Sequence, residues 1–286
     1  MASAVAKAAD GPAHLGEVNL TELGAPAHWH NVDFISDLHL QPSEPGTVNA
    51  WTAYLKNTQA DALFILGDLF EVWVGDDVAN EDGFEQQCAR ALKAASQRLS
   101  IYFMHGNRDF LVGEDFMRQC GATLLDDPTV LTSGCSRWLL SHGDELCIDD
   151  VDYQQFRVMV RSSLWQQDFL GKPLPARQAI ARNLRSQSEA HKKSAQTFVD
   201  VDAAAATHWL AQARATTLIH GHTHRPAEHD LGHGLQRIVM SDWDATALPA
   251  RAQVLRLHLP NIENLSTSPF LKRYDIYSKL SILSVG

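Results

Sequence analysis

VDFISDLHL, residues 32–40, is a short apolar run that ends in a polar tip. The same pattern returns further along the chain. ALFIL runs into GDLF (62–70), IYFMH into GNRD (101–109), RWLLS into HGDE (137–145) and TTLIH into GHTH (216–224). Short runs rich in branched and aromatic residues read as buried strands. Between them lie amphipathic stretches such as FEQQCARALKAASQRL (84–99), with Phe84, Cys88, Ala91, Leu92, Ala95 and Leu99 on one helical face. Strands alternating with helices predict an α/β architecture. Each polar tip falls at the C-terminal end of its strand, the edge where open α/β sheets bind ligands.

Residues 149–214 break this rhythm. DDVDYQQFRVMVRSSLWQQDFL is helical in pattern and stops at Gly171-Lys172-Pro173, and helical stretches follow around 176–199 and 202–214. These predict a helical insertion between two core strands. From Tyr153 to Val199 the chain carries eight basic and two acidic residues, a basic island on a chain whose net charge is −10. Such an island suits either a local anionic partner or a solvated helical face. Residues 1–30 show little periodicity and are expected to form a flexible extension. LQRIVMSDW and AQVLRLHL resemble closing strands, which bounds the main domain at 31–258. Residues 259–286 carry no motif.

A length of 286 residues with 45% hydrophobic and 20% charged residues is that of an ordinary globular protein with a sizeable core. No apolar run reaches the ~18–20 residues that cross a bilayer. MASAVAKAADGPAHLGEVNL lacks the apolar segment of a signal peptide, which predicts a cytoplasmic location. The four cysteines are far apart with no CxxC pair and read as reduced thiols. The net negative charge argues against general nucleic-acid binding.

The tips carry the chemistry. Asp37 and His39 stand two apart, Asp68 follows a glycine, and Asn107 sits beside Arg108. His142 opens HGD, and His222 and His224 close GHTH. Carboxylate, amide and imidazole donors without sulfur suit Mn²⁺, Fe or Zn²⁺. Seven donors exceed one tetrahedral ion and suit two ions sharing a carboxylate, with Asp68 the natural bridge. A pair of metals ~3.5–4 Å apart clamps a phosphoryl group and activates water at neutral pH. His220 precedes the glycine turn and reads as a hydrogen-bonded core residue.

These motifs, in this order, resemble the calcineurin-like metallophosphoesterase family. Its pattern D-x-H, G-D, G-N-[H/R]-[D/E], H and G-H-x-H is matched by Asp37–His39, Gly67–Asp68, Gly106–Asp109, His142 and Gly221–His224. The resemblance implies a four-layer sandwich, two packed mixed sheets flanked by helices, with the helical insertion as a lid. It implies one metal on Asp37, His39, Asp68 and His224, and another on Asp68, Asn107, His142 and His222. Many relatives place a histidine where this chain has Arg108. A phosphate monoester has a second pKa of ~6 and leaves without protonation, so loss of that acid matters little for a pyrophosphate bond. Arg108 can instead neutralise phosphate charge, and with Asp68 it is the expected catalytic pair.

The wider wording, including ILGDLFEVWVGDD and SHGDELCIDD, is similar to the branch of this family that hydrolyses UDP-2,3-diacylglucosamine to UMP and diacylglucosamine 1-phosphate in lipid A biosynthesis. That resemblance implies two Mn²⁺ per chain and peripheral attachment to the cytoplasmic face of the inner membrane; a monomer is the expected state. The resemblance implies substrate contacts at Asn107, Arg108, Asp150 and His222, with Ser188 matching a contact on the downstream helix and Lys192 or Lys193 available as the basic contact there. FRVMVRSSLWQQDFL supplies apolar side chains for an acyl groove, with Arg161 and Trp165 expected near the membrane rim. The alternatives are a phosphodiesterase or phosphatase acting on a soluble nucleotide or phosphoprotein, and a metal-binding scaffold without catalysis. A scaffold is expected to lack a ligand, and here all seven are present.

Overall fold

The structure, a computed structural model, describes residues 16–80, 82–194, 199–260 and 268–277; of 187–194 it describes the backbone alone. Two six-stranded sheets form its centre. The first has the order β12-β11-β2-β3-β4-β5, built from Phe270–Asp275 (β12), Gln253–His258 (β11), Asn31–Ile35 (β2), Ala62–Leu66 (β3), Ser100–Met104 (β4) and Thr123–Leu125 (β5). The second has the order β1-β6-β7-β8-β10-β9, built from Thr21–Gly24 (β1), Thr129–Ser133 (β6), Ser136–Ser141 (β7), Thr217–His220 (β8), Leu235–Val239 (β10) and Ala227–Gly232 (β9). β2, β3, β4 and β5 run parallel, as do β7, β8 and β10. Antiparallel pairs at β11, β6 and β9 make both sheets mixed.

The continuous apolar runs have a simple cause: each central strand is covered on both faces. In β3, Ala62, Phe64 and Leu66 point towards the other sheet, while Leu63 and Ile65 point towards helices. The inter-sheet core holds Trp29, Phe34, Trp138, Ile219 and Leu255. Outside the first sheet lie α1 (Pro45–Asn57), α2 (Phe84–Ala95) and α3 (Glu114–Cys120), which bury Trp51, Leu92 and Phe116 among others. Outside the second sheet, α7 (Ala203–Ala213) buries Trp209 and Leu210 against Leu139 and Leu218. This is the expected α/β sandwich of four layers.

Three segments differ from expectation. The 1–30 stretch contributes β1, paired with β6, and the buried Trp29. The 259–286 stretch contributes β12, paired with β11. Both are edge strands with only partly buried side chains, so their sequences carry little alternation. Finally, α7 belongs to the core layer. The helices that stand outside the two-sheet core are α4 (Val151–Val160), α5 (Ser163–Leu170) and α6 (Leu174–Ser194).

Candidate metal centre

β2, β3 and β4 are neighbours in one sheet, and β7 and β8 are neighbours in the other. The five polar tips therefore meet where the C-terminal ends of the two sheets face each other. Donor atoms of Asp37, His39 and His224 lie within 4.8 Å of one another, as do those of Asp37, Asp68 and His142. Asp68 stands between the two groups, with Oδ2 3.9 Å from His39 Nε2 and 3.8 Å from His142 Nε2. His39 Nε2 lies 3.1 Å from His224 Nε2, which in turn lies 3.2 Å from Asp37 Oδ1. Asn107 Oδ1 faces His142 Nε2 at 3.0 Å and His222 Nδ1 at 2.9 Å. All seven residues singled out in the sequence are thus brought to one place.

The backbone pays for this convergence. Asp37, His39, Asp68, His222 and His224 all have positive φ, between 49° and 67°. Such a conformation costs a residue with a side chain about 1–2 kcal/mol. Strain of this kind, gathered at one site and held by the surrounding sheets, marks function more than stability. Two glycines permit the close approach. A Cβ on Gly221 would strike Ser36 Oγ and the Asp37 carboxylate, and one on Gly106 would strike Asp68.

Burial grades the site. Asp37, Asp68 and His142 are buried, His39, Asn107 and His222 are half-buried, and His224 is exposed, which leaves one open face. Burial opposes the Asp37 carboxylate, yet the hydrogen bond and charge of His224 hold its pKa well below the usual range. Burial likewise opposes the His142 imidazolium, but Asp68, Asp144 and Asp37 outweigh it and raise the pKa to about 9. A buried nest of carboxylates that draws protons onto its imidazoles is a place where a divalent cation supplies the missing positive charge. His142 Nδ1 donates to the Leu66 carbonyl at 2.9 Å, so the second proton sits on Nε2, which would offer its lone pair once a cation takes that proton's place. The donor set, imidazole nitrogen and oxygen only, fits such a cation.

Residues 30–226 match the calcineurin-like phosphoesterase family. The UDP-2,3-diacylglucosamine hydrolase of Chromohalobacter salexigens is 45% identical over 216 residues, which cover 73% of this chain and 87% of that protein. The hydrolase of the same description from Marinobacter nauticus is 44% identical, covering 74% of this chain and 88% of that protein. That of Chromobacterium violaceum is 46% identical, covering 74% and 90%. The chain belongs to the calcineurin-like phosphoesterase family, in its UDP-2,3-diacylglucosamine hydrolase branch. As a member of that family it is a metallophosphoesterase-type hydrolase of the divalent-metal kind.

Besides the seven proposed donors, three buried carboxylates shape the site. Asp109, fully buried, accepts from the backbone N–H groups of Asp68 (3.3 Å), Leu69 (2.7 Å), Phe70 (3.3 Å) and Gly106 (2.8 Å). It clamps the β3 tip to the β4 tip. Burial first, and the Asp68 charge next, raise its pKa to about 7. Asp144, two residues after His142, accepts from Tyr153 Oη and from Arg157 Nε at 2.9 Å. The Tyr153 ring stacks on His222 at 5.9 Å. Glu71 stands beside His39, Arg108 and Arg185. Asp109 and Glu71 lie in motif stretches, but their partners are distant in sequence and cannot be read locally.

Arg108 donates its backbone N–H to Asp68 Oδ1 at 2.8 Å. Asp150 caps α4, its carboxylate accepting from Tyr153 N at 3.2 Å. Ser188 and Lys192, with the neighbouring Lys193, fall on α6 where side chains lie outside the described residues. The basic island is neither a free patch nor a solvated face over most of its described length. Arg157 and Arg161 pair with Asp144, Arg177 with Asp77, Arg185 with Glu71 and Lys172 with Asp168. Arg161 was expected at a membrane rim, but it donates to the Gly106 carbonyl at 3.0 Å, inside the site. Trp165 stacks on Phe169 at 4.8 Å and is half-buried. The apolar side chains that α4 and α5 expose are others, Val158 and Leu164 above all, at 71% and 78%.

Proposed function

We propose that this chain hydrolyses the pyrophosphate bond of UDP-2,3-diacylglucosamine to UMP and 2,3-diacylglucosamine 1-phosphate, using two Mn²⁺ ions. The observation that carries the reading is the gathering of Asp37, His39, His224 and of Asp37, Asp68, His142 into two overlapping donor groups, with Asp68 Oδ2 within reach of both His39 and His142, in a chain whose relatives are described as UDP-2,3-diacylglucosamine hydrolases. Asp37, His39, Asp68 and His224 would hold one ion, and Asp68, Asn107, His142 and His222 the other. Bound there, the pair supplies Lewis-acid polarisation of the phosphoryl oxygens and activation of water.

The chain's own residues do the rest. Asp68 fixes the spacing of the two donor groups. The Arg108 guanidinium, part-buried at 18% exposure on the open face, meets negative charge as it gathers on the phosphoryl oxygens. No general acid is required, because the leaving phosphate departs as a weak base. Asp150, Ser188, Lys192 and His222 are the further substrate contacts, with His222 serving both roles.

The face formed by Val151, Val158, Met159 and Leu164, all exposed, suits acyl chains or a lipid surface. Among the described residues no helix is long and apolar enough to cross a membrane. We infer peripheral attachment to the cytoplasmic face of the inner membrane from that exposed apolar face and the lipid substrate, with the protein as a monomer.

Turnover of UDP-2,3-diacylglucosamine beside UDP-N-acetylglucosamine and p-nitrophenyl phosphate tests this reading. It predicts strong preference for the acylated substrate, reduced by Val158→Glu with Leu164→Glu. Equal turnover of the soluble compounds would place the chain among phosphoesterases of soluble substrates instead.

A further inference from the structure

Glu71 lies three residues beyond Asp68 and is 7% exposed. Its two oxygens are used differently. Oε2 lies 2.9 Å from His39 Nδ1, off the line of the ring N–H, so the contact is one of charge more than of directed hydrogen bonding. Oε1 lies 2.8 Å from Arg185 Nη1, on α6, and 3.4 Å from Arg108 Nη1, on the β4 tip.

We propose that Glu71 is a positioning residue of the metal centre, orienting His39 through one oxygen while the other holds Arg108 and Arg185 beside the open face. The physical reason lies in the geometry of an imidazole. A histidine with an anion against Nδ1 keeps its proton there and turns Nε2, with its lone pair, towards the metal position. His39 Nε2 does face Asp68 and His224. Because His39 has a strained backbone, with φ of 49°, a second restraint on its ring keeps the donor in place. The inference rests on the metal-centre reading above, though not on the identity of the substrate.

The test measures Mn²⁺ affinity of the full-length protein, freed of metal and titrated against a competing chelator, with no substrate present. Glu71→Ala is expected to weaken Mn²⁺ binding about 10–100-fold, the usual cost of removing the partner of a ligating histidine. Glu71→Gln keeps an acceptor against Nδ1 and is expected to fall between Glu71→Ala and the wild type. Arg185→Ala removes the contact on the other oxygen and should leave Mn²⁺ affinity unchanged. Wild-type affinity in Glu71→Ala would overturn the proposal. So would an equal loss in Arg185→Ala, which would make Glu71 a general brace of the rim. If the wild type itself bound no Mn²⁺, the metal-centre reading would fall with it.

Discussion

Replacing Asp109 with alanine should destabilise the fold substantially while leaving every proposed metal donor in place. Its carboxylate serves four backbone N–H groups, two at 2.7 and 2.8 Å and two at 3.3 Å. At about pH 8, above its raised pKa of about 7 and so with the carboxylate ionised, the two short bonds are worth about 1.5–3 kcal/mol each, and the longer pair about 0.5–1 kcal/mol each. Water entering the vacated space recovers part of this, which leaves a net loss of about 3–5 kcal/mol. For a chain of this length that corresponds to a fall in Tm of roughly 5–10 °C. Asp109→Asn keeps one good acceptor but turns an NH₂ group towards backbone donors, so it should lose about half as much. Urea unfolding of the metal-free variants, followed by far-UV circular dichroism, gives these differences directly. Because the clamp places Asp68, activity should fall with stability in both variants. An Asp109→Ala protein as stable as the wild type would refute the clamp.

Asp68→Ala should abolish turnover while circular dichroism shows the fold intact; appreciable residual activity would remove Asp68 from its bridging position. Asp144→Ala strips the shared partner from Arg157, Arg161 and Tyr153, leaving Arg157 with Glu145 and Arg161 with the Gly106 carbonyl, and costs about 1–3 kcal/mol. Limited proteolysis should then cut within α4 and α5 at least several-fold faster, and unchanged cleavage would deny that Asp144 anchors them. His220 is fully buried, and burial lowers its pKa to about 4. A histidine depressed in this way stabilises the fold fully above pH 6.5 and loses that contribution as pH falls towards 4. The loss amounts to about 3 kcal/mol. The stability difference between wild type and His220→Gln, measured in metal-free protein, should shrink over that interval; a constant difference would contradict the assignment.

What the sequence made legible follows from where the chemistry sits. Each proposed donor lies at the end of a strand whose apolar run is unmistakable, because β2, β3, β4, β7 and β8 are all central and covered on both faces. The edge strands β1 and β12 were illegible for the opposite reason. Half of their residues face solvent, and nothing in TELG or FLKRYD alternates strongly. Charge was legible as a total and illegible as a pattern of partners. The island from Tyr153 to Val199 looks free when counted along the chain, yet Arg185 reaches Glu71 and Arg177 reaches Asp77, each about a hundred residues away in sequence. Asp109 and Glu71 stood inside the quoted motifs, but their roles depend on groups that only folding brings near.

The reading we propose is hydrolysis at a dimetal centre, and the resemblance to this branch of the family implies that water attacks the phosphorus attached to uridine. Its most direct test is hydrolysis of UDP-2,3-diacylglucosamine by Mn²⁺-loaded protein in H₂¹⁸O, with both products weighed by mass spectrometry. The account predicts one ¹⁸O in UMP and none in 2,3-diacylglucosamine 1-phosphate. Label in the sugar phosphate, or release of inorganic phosphate in place of UMP, would contradict it.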